Sequence, residues 1–479
     1  MFRSRGSRAL VLLFLLSLPA VTTRIYASDE IQYFSFLRSL WFDHDLSFDN
    51  EYRYFEDHYF LDRGVPPPAG FASTFLEDTT ATGHRRTFAT IGCALLWAPF
   101  YAVGDIVARV LHATGRPVAV DGYSQPYIAA VCYGSACYGF AALLLSAAIV
   151  RRSLGSAIAA TAAVWVGTPL FFYMYLAPVF AHACEAFAVA LLLWSWLHAR
   201  ERWTPGRAAL VGAAGALAAM VREQELILVA GPALDFLWTA IETARAPQPL
   251  ESGRPAPATL AAAAGAGIAG FAVGYVPQVI AYLSINGQIR AAGEVTRKMN
   301  WAAPHFFGVL FNPEHGFVFW TPLVVLAVCG LAWLLSGGGA RGAIERRERR
   351  TLAACSLTIF VLNTYVAGSI ESWTAAGAFG QRRFVSATPV LVVGLAALLT
   401  SVASHRGAWR WAVRALIGLC LWWNLGLMTQ FGLNRMDRQQ LTLSDNARLT
   451  FVTLPFEAPQ LVWRYVWDRS SFYNLPRHP

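Results

Sequence analysis

Apolar residues in this chain come in long runs, not at alternate positions or along a single helical stripe. Runs of about 18 or more mark helices that cross a bilayer, because roughly 20 residues at 1.5 Å each span the hydrocarbon. The runs predict helices near residues 8–27, 126–150, 153–176, 179–197, 208–221, 226–242, 258–284, 318–336, 351–369, 387–404 and 409–430. One further apolar stretch, "TFATIGCALLWAPFYAVGDIVARVL" from Thr87 to Leu111, holds Pro99. It reads as a helix in or dipping into an interface and broken at Pro99; the alternative is an ordinary span. Residues 1–430 therefore form a transmembrane domain, and residues 431–479 a polar, aromatic tail with amphipathic pieces such as "LVWRYVW". The predicted class is an all-α polytopic membrane protein with about 11 transmembrane helices.

Composition agrees with this class. Of 479 residues, 56% are hydrophobic and 14% charged, where a soluble domain carries about 25% charged residues. The net charge is +9, nearly every cation is Arg, and Lys298 is the only lysine. Seven scattered cysteines with no CxxC pair argue against a disulfide framework or a zinc site. Cytoplasmic loops are enriched in Arg and Lys. The start "RSRGSR" and the loops "HARERWTPGR", "GGGARGAIERRERR" and "SHRGAWRWAVR" are net basic, and "ETARAPQPLESGRPAP" carries two Arg against two Glu; the Arg content places all of them inside. Residues 28–125 then form one long outer segment, with the amino terminus in and the carboxyl terminus out. The basic start and short apolar core also describe a signal peptide. An uncleaved first helix is preferred because the acids that follow it need it in place.

Several charges break the loop rule. Arg222, Arg290, Arg297, Lys298, Arg382 and Arg383 fall on the outer side. Charges at membrane depth cost about 2.5–3.5 kcal/mol each. Arg222 ends an apolar run of only about 14 residues, too short for a comfortable span. That suggests a helix stopping early and presenting a guanidinium, a group suited to bidentate phosphate binding; the alternative is snorkelling to lipid headgroups. His182 and Glu185, three apart, share a helix face as a proton relay or as polar glue between helices. On the acidic side stand the pair Asp29–Glu30 and the cluster Asp43, Asp45, Asp49 and Glu51. There is no HExxH, Walker loop or GxGxxG after a strand, and no nucleic-acid fold. Acids beside cations at a lipid interface suit transfer from a lipid phosphate carrier to a hydroxyl or amine. A carboxylate takes the acceptor's proton, and cations stabilise the departing phosphate.

The stretches "SDEIQYF", "RSLWFDHDLSFDNEY", "ALLWAPF", "MVREQELILVAGPALDFL", "MNWAAPHFFGVLFNPEHGFVFWTPLVVLAVCGL" and "ESWTAAGAFGQRRFVSATPVLVVGLAALL" together resemble the GT-C membrane glycosyltransferases. The branch resembled holds protein mannosyltransferases and the aminoarabinose transferase of lipid A. The resemblance runs over nearly the whole chain and implies a GT-C-like bundle with outer juxtamembrane helices after the first helix. It implies a polyprenyl-phosphate sugar donor and an extracytoplasmic glycan, lipid or protein acceptor. Transfer would invert the sugar carbon, in the cytoplasmic (inner) membrane. On matching positions it implies Asp29 as base with Glu30 as partner, and Arg222 as a donor-phosphate contact. Arg382 and Arg383 are further phosphate candidates, and Asp43, Asp45, His182, Glu185, Lys298 and His315 are acceptor or loop contacts. Ile31 and Gln32 stand where many members have Pro and His, so the choice between Asp29 and Glu30, and a divalent metal, stay open. The competing readings are a flippase for a lipid-linked sugar and a non-catalytic envelope subunit.

Overall fold

The computed structural model describes residues 5–61, 70–152, 154, 157–245, 256–291, 293, 297–403 and 407–472. The loop stretches at 246–255 and 404–406, and the two chain ends, lie outside them. The described residues are helical, with isolated bridges but no strand. The principal helices are α1 (Arg5–Ser17), α2 (Ser28–Arg38), α3 (Gly92–Ala113), α4 (Gln125–Arg151), α5 (Ala157–Gly167), α6 (Pro169–Tyr175), α7 (His182–Glu201) and α8 (Pro205–Val221). They continue with α9 (Ala230–Arg245), α10 (Pro257–Asn286), α11 (Leu323–Leu335), α12 (Ala343–Ser369), α13 (Thr388–Ala403), α14 (Ala408–Gly432) and α15 (Leu454–Trp467).

Among the described residues, seven helices are long and apolar enough to cross a membrane, or eight if the bent pair α5–α6 counts as one span. Three shorter apolar helices join them, at Gly6–Ala20, Pro205–Val221 and Leu323–Leu335. This is the helix content of a polytopic membrane protein. The chain divides into two compact units. One comprises residues 13–142 and 173–299, the other residues 1–12, 143–172 and 300–479.

Four elements differ from the sequence expectation, one of them the run at 318–336, which Thr321 and Pro322 divide into a short turn at Phe317–Trp320 and α11. The first helix does not reach residue 27: α1 ends at Ser17, a short 3-10 turn follows, and residues 21–26 are extended. Pro19 cannot continue the ladder, and the Thr22 N–H is instead donated to the Tyr175 carbonyl (2.7 Å). Asp29 and Glu30 thus open the second helix and do not close the first. The expected span at 153–176 is bent by 70° between α5 and α6. Pro169 disfavours helical geometry at Thr168. Asn424 Nδ2 takes up the exposed carbonyls of Val166 (2.7 Å) and Thr168 (3.3 Å). In contrast, α3 runs unbroken through Pro99. Buried Trp97 and Tyr101 hold it on either side, donating to Ser135 Oγ and the Gly122 carbonyl at 2.8 Å each.

In the unit of residues 13–142 and 173–299, α8 and α10 cross closely. A Cβ on Gly212 would strike the Gly267 carbonyl, and one on Gly270 the Ala209 carbonyl. Small residues let helix backbones approach in this way. The neighbours advance together along both helices, Gly267 beside Ala208, Gly270 beside Ala209 and Gly274 beside Ala216. The two helices therefore run parallel, and α9 between them carries the chain back. In the other unit Gly330 of α11 and Gly394 of α13 make the same kind of backbone contact.

Candidate functional site

The start of α2 is built by Glu30. Its Oε2 accepts from the backbone N–H of Tyr26 (2.8 Å) and Ala27 (3.1 Å). These are donors that a helix N-terminus otherwise leaves unpaired, and an acid in the first turn also suits the helix dipole. Glu30 is fully buried, and its Oε1 has no hydrogen-bond partner. Burial pushes its carboxyl up to about 8, against the pull of those two N–H groups. Asp29, one residue earlier, is only half-buried. Gln32 on the same helix orders the approach to α3, its Oε1 accepting from the Phe88 N–H at 2.7 Å.

A second group forms where α7 begins and α8 ends. Glu185, in the first turn of α7, receives Arg222 Nη1 on Oε2 at 2.8 Å. The same Nη1 lies 3.1 Å from His182 Nδ1. An Arg can only donate, so a bare His182 Nδ1 accepts from it, whereas an Nδ1–H donates to Glu185 Oε1, also 3.1 Å away. His182 and Glu185 are buried, while Arg222 keeps 16% of its side chain exposed. Among the described residues the guanidinium bonds only through Nη1. Glu225, three residues on and fully buried, adds to the field that favours the charged Arg222.

The position of Arg222 is set from outside its own helix. Helix α8 has 17 residues, about 25 Å at 1.5 Å each, short of the roughly 30 Å hydrocarbon core. No proline or glycine ends it; Arg222 turns extended at φ −153°, ψ 124°. The backbone at Gly92 abuts the Met220 carbonyl, where any side chain would collide. Thr90 Oγ1 donates to the Val221 carbonyl (2.9 Å), and the Ile91 N–H donates to Gln278 Oε1 (3.0 Å).

Tyr33 links the two groups. Its phenol lies within electrostatic reach of Arg222, Asp29 and Glu185 together. Burial raises its ionisation well above the ordinary range, Arg222 opposes this, and Asp29 and Glu185 reinforce it. Tyr33 was not singled out from the sequence. Its place four residues after Asp29, on the same helical face, is the signal that marks it, as the three-residue step marks Glu225 beside Arg222.

The acids after α2 are engaged locally. Asp43 pairs with Arg38 and accepts from Asn50 Nδ2 (2.7 Å), and Asp45 Oδ1 accepts from Ser39 Oγ (2.7 Å) and the Ser47 N–H (3.0 Å). Asp49 pairs with Arg53 and Arg85, and Glu51 with Arg38. These contacts brace the segment. Lys298 is exposed, its Nζ 4.7 Å from the Phe88 ring centroid.

Arg382, Arg383 and His315 belong to the other compact unit. Arg383 is buried and clasps Ser372 through its carbonyl (2.8 Å) and Oγ (2.9 Å). Arg382 is half-buried in the same 3-10 turn. His315 is half-buried, with its carbonyl taken by Gln381 Nε2 (2.7 Å). Among the described residues no three His, Cys, Asp or Glu side chains gather as a metal-ligand set. The chain matches no family model, no curated protein and no solved structure.

Proposed function

We propose that this protein is a glycosyltransferase of the GT-C type, moving a sugar from a polyprenyl-phosphate carrier to an extracytoplasmic acceptor. The observation that carries this reading is the short path from the helix of Asp29 to Arg222: Gln32 Oε1 of α2 accepts from the Phe88 N–H (2.7 Å), and Thr90 Oγ1 donates to the carbonyl of Val221, the residue before Arg222 (2.9 Å). A half-buried carboxylate and a partly exposed guanidinium are held at the two ends of that path. In this scheme the acceptor's hydroxyl or amine attacks the sugar carbon from the face opposite the phosphate. The carbon–oxygen bond to phosphate breaks, the acceptor's proton passes to the Asp29 carboxylate, and configuration inverts. The guanidinium edge of Arg222 away from Glu185 takes the charge on the departing polyprenyl phosphate. Between the two acids, accessibility favours Asp29 as base: Glu30 is sealed and already receives two backbone donors. Glu30 then positions the turn that carries Asp29. The reading includes about 11 crossings in the inner membrane, an interfacial role for α3, and a site on the extracytoplasmic side. It assigns Arg383 to loop support and leaves Arg382 as the phosphate candidate of its own unit.

A different observation favours a non-catalytic reading of the second group. His182, Glu185 and Arg222 lie against one another as a polar joint between the start of α7 and the end of α8. The test uses purified protein in vesicles with a polyprenyl-phosphate sugar, measuring release of polyprenyl phosphate. Asp29→Asn is expected to lower turnover by about 10²–10⁴-fold while thermal melting and donor binding in native mass spectrometry are kept. Arg222→Lys, which retains a charge for Glu185, is expected to weaken donor binding more than acceptor binding. Full turnover in Asp29→Asn removes the base assignment. Donor binding without turnover in the wild type points to a flippase, and no donor binding to an envelope subunit.

A further inference from the structure

Helix α15 presents an apolar face outward. Phe456, Trp463 and Trp467 recur at steps of seven and four and are 85%, 66% and 70% exposed. Val462 and Val466, each 63% exposed, widen that strip. On another side of the helix, Leu454 is buried and Leu461 and Tyr465 are half-buried against the protein. Polar groups take a third sector: Glu457 pairs with Arg435, and Arg464 Nη2 donates to Ser471 Oγ (3.0 Å). A helix facing only water would reverse this arrangement, with charges outward.

The height at which the segment before this helix is anchored points to what covers it. The turn leading into α15 is bonded to the last turns of α14, a span candidate. Trp422 Nε1 donates to the Thr450 carbonyl (2.9 Å), Gln430 Nε2 donates to Thr450 Oγ1 (2.8 Å), and Asn446 Nδ2 donates to Gln430 Oε1 (2.8 Å). Thr450 sits level with Gly426, whose added Cβ would meet the threonine side chain at 2.5 Å. Gly426 lies six residues before Gly432, where α14 ends. At 1.5 Å per residue that is roughly 9 Å below the end of the helix. Interfacial amphipathic helices bury their apolar face about 5–10 Å into the headgroup–acyl boundary, and Trp concentrates at that depth. We infer that α15 lies in the membrane interface, with the Phe456–Trp463–Trp467 strip inserted among phospholipid acyl chains on the side where α14 ends.

The experiment places the photoreactive residue p-benzoyl-phenylalanine at single positions of the full chain in phosphatidylethanolamine–phosphatidylglycerol nanodiscs. Adducts are read by mass spectrometry after irradiation. Position 416, an exposed Leu of α14, serves as the lipid-facing standard. Positions 463 and 467 are expected to yield phospholipid adducts at levels like 416, and at least about fivefold above exposed Asp468. Adducts to a second copy of the chain, or adducts at 463 and 467 no more frequent than at 468, overturn the inference.

Discussion

At the scale of single residues, burial sorts two adjacent acids that the sequence presents as a pair. Glu30 is sealed, with its carboxyl pushed up to about 8 from the ordinary 4.5 by loss of solvent. Between those values the folded protein holds one proton more than the unfolded chain, so stability falls as pH rises. The contribution is complete below about 4.5 and lost as pH passes through about 8. Glu30→Gln mimics the protonated acid. Its melting temperature, compared with wild type from about pH 5 to 9, is expected to lose that decline. Parallel curves for the two proteins would show that Glu30 titrates alike folded and unfolded. The pairing at Arg222 has a related consequence. Arg222→Ala leaves Glu185 buried without its cation and is expected to cost about 3–5 kcal/mol. This is why Arg222→Lys is the informative variant for donor binding. Asp29, Glu30 and Arg222 could be singled out as candidates from their types and places in the chain. That Glu30 is sealed, and that His182 and Glu185 close on Arg222, was not, because burial and pairing arise between segments remote in sequence.

At the scale of elements, the parallel crossing of α8 and α10 depends on the absence of side chains at a few points. A Cβ on Gly270 would strike the Ala209 carbonyl, whereas nothing lies within 4 Å of one on Gly265 of the same helix. Gly270→Ala is therefore expected to destabilise, by about 1–3 kcal/mol of overpacking. Gly265→Ala should be neutral or stabilise by up to about 1 kcal/mol, as helix propensity favours alanine. Melting temperatures in detergent compare the two. Equal shifts would mean that the helices part readily at this crossing. The helices themselves were legible: nine of the predicted apolar runs, from 126–150 onward except 153–176, each reappear within one principal helix or overlap it, the run at 318–336 after its division at Thr321 and Pro322. The other two turn on proline. Pro19 and Pro169 mark breaks, while Pro99 does not, because buried Trp97 and Tyr101 carry α3 across it.

At the scale of the whole molecule, the proposed function requires the orientation that the alternation of basic loops predicts. Asn50 and Gly206 are both exposed, the first in the segment after α2 and the second at the start of α8. A membrane-impermeant maleimide is expected to label Asn50→Cys in intact cells, in a background without native cysteines. Gly206→Cys should react only after lysis. The reverse pattern would invert the map and put Asp29 on the cytoplasmic side. The amino-acid sequence by itself determined the class and most of the helix positions, because partition of an apolar run into a bilayer is decided run by run. Only the tertiary structure decided where α8 stops and what its last residue meets. Gly92 and Thr90 halt the helix at Val221, and Glu185 and His182, some forty residues earlier, receive the guanidinium. Close backbone approach and ion pairing join distant segments, and their energies exist only once those segments are packed.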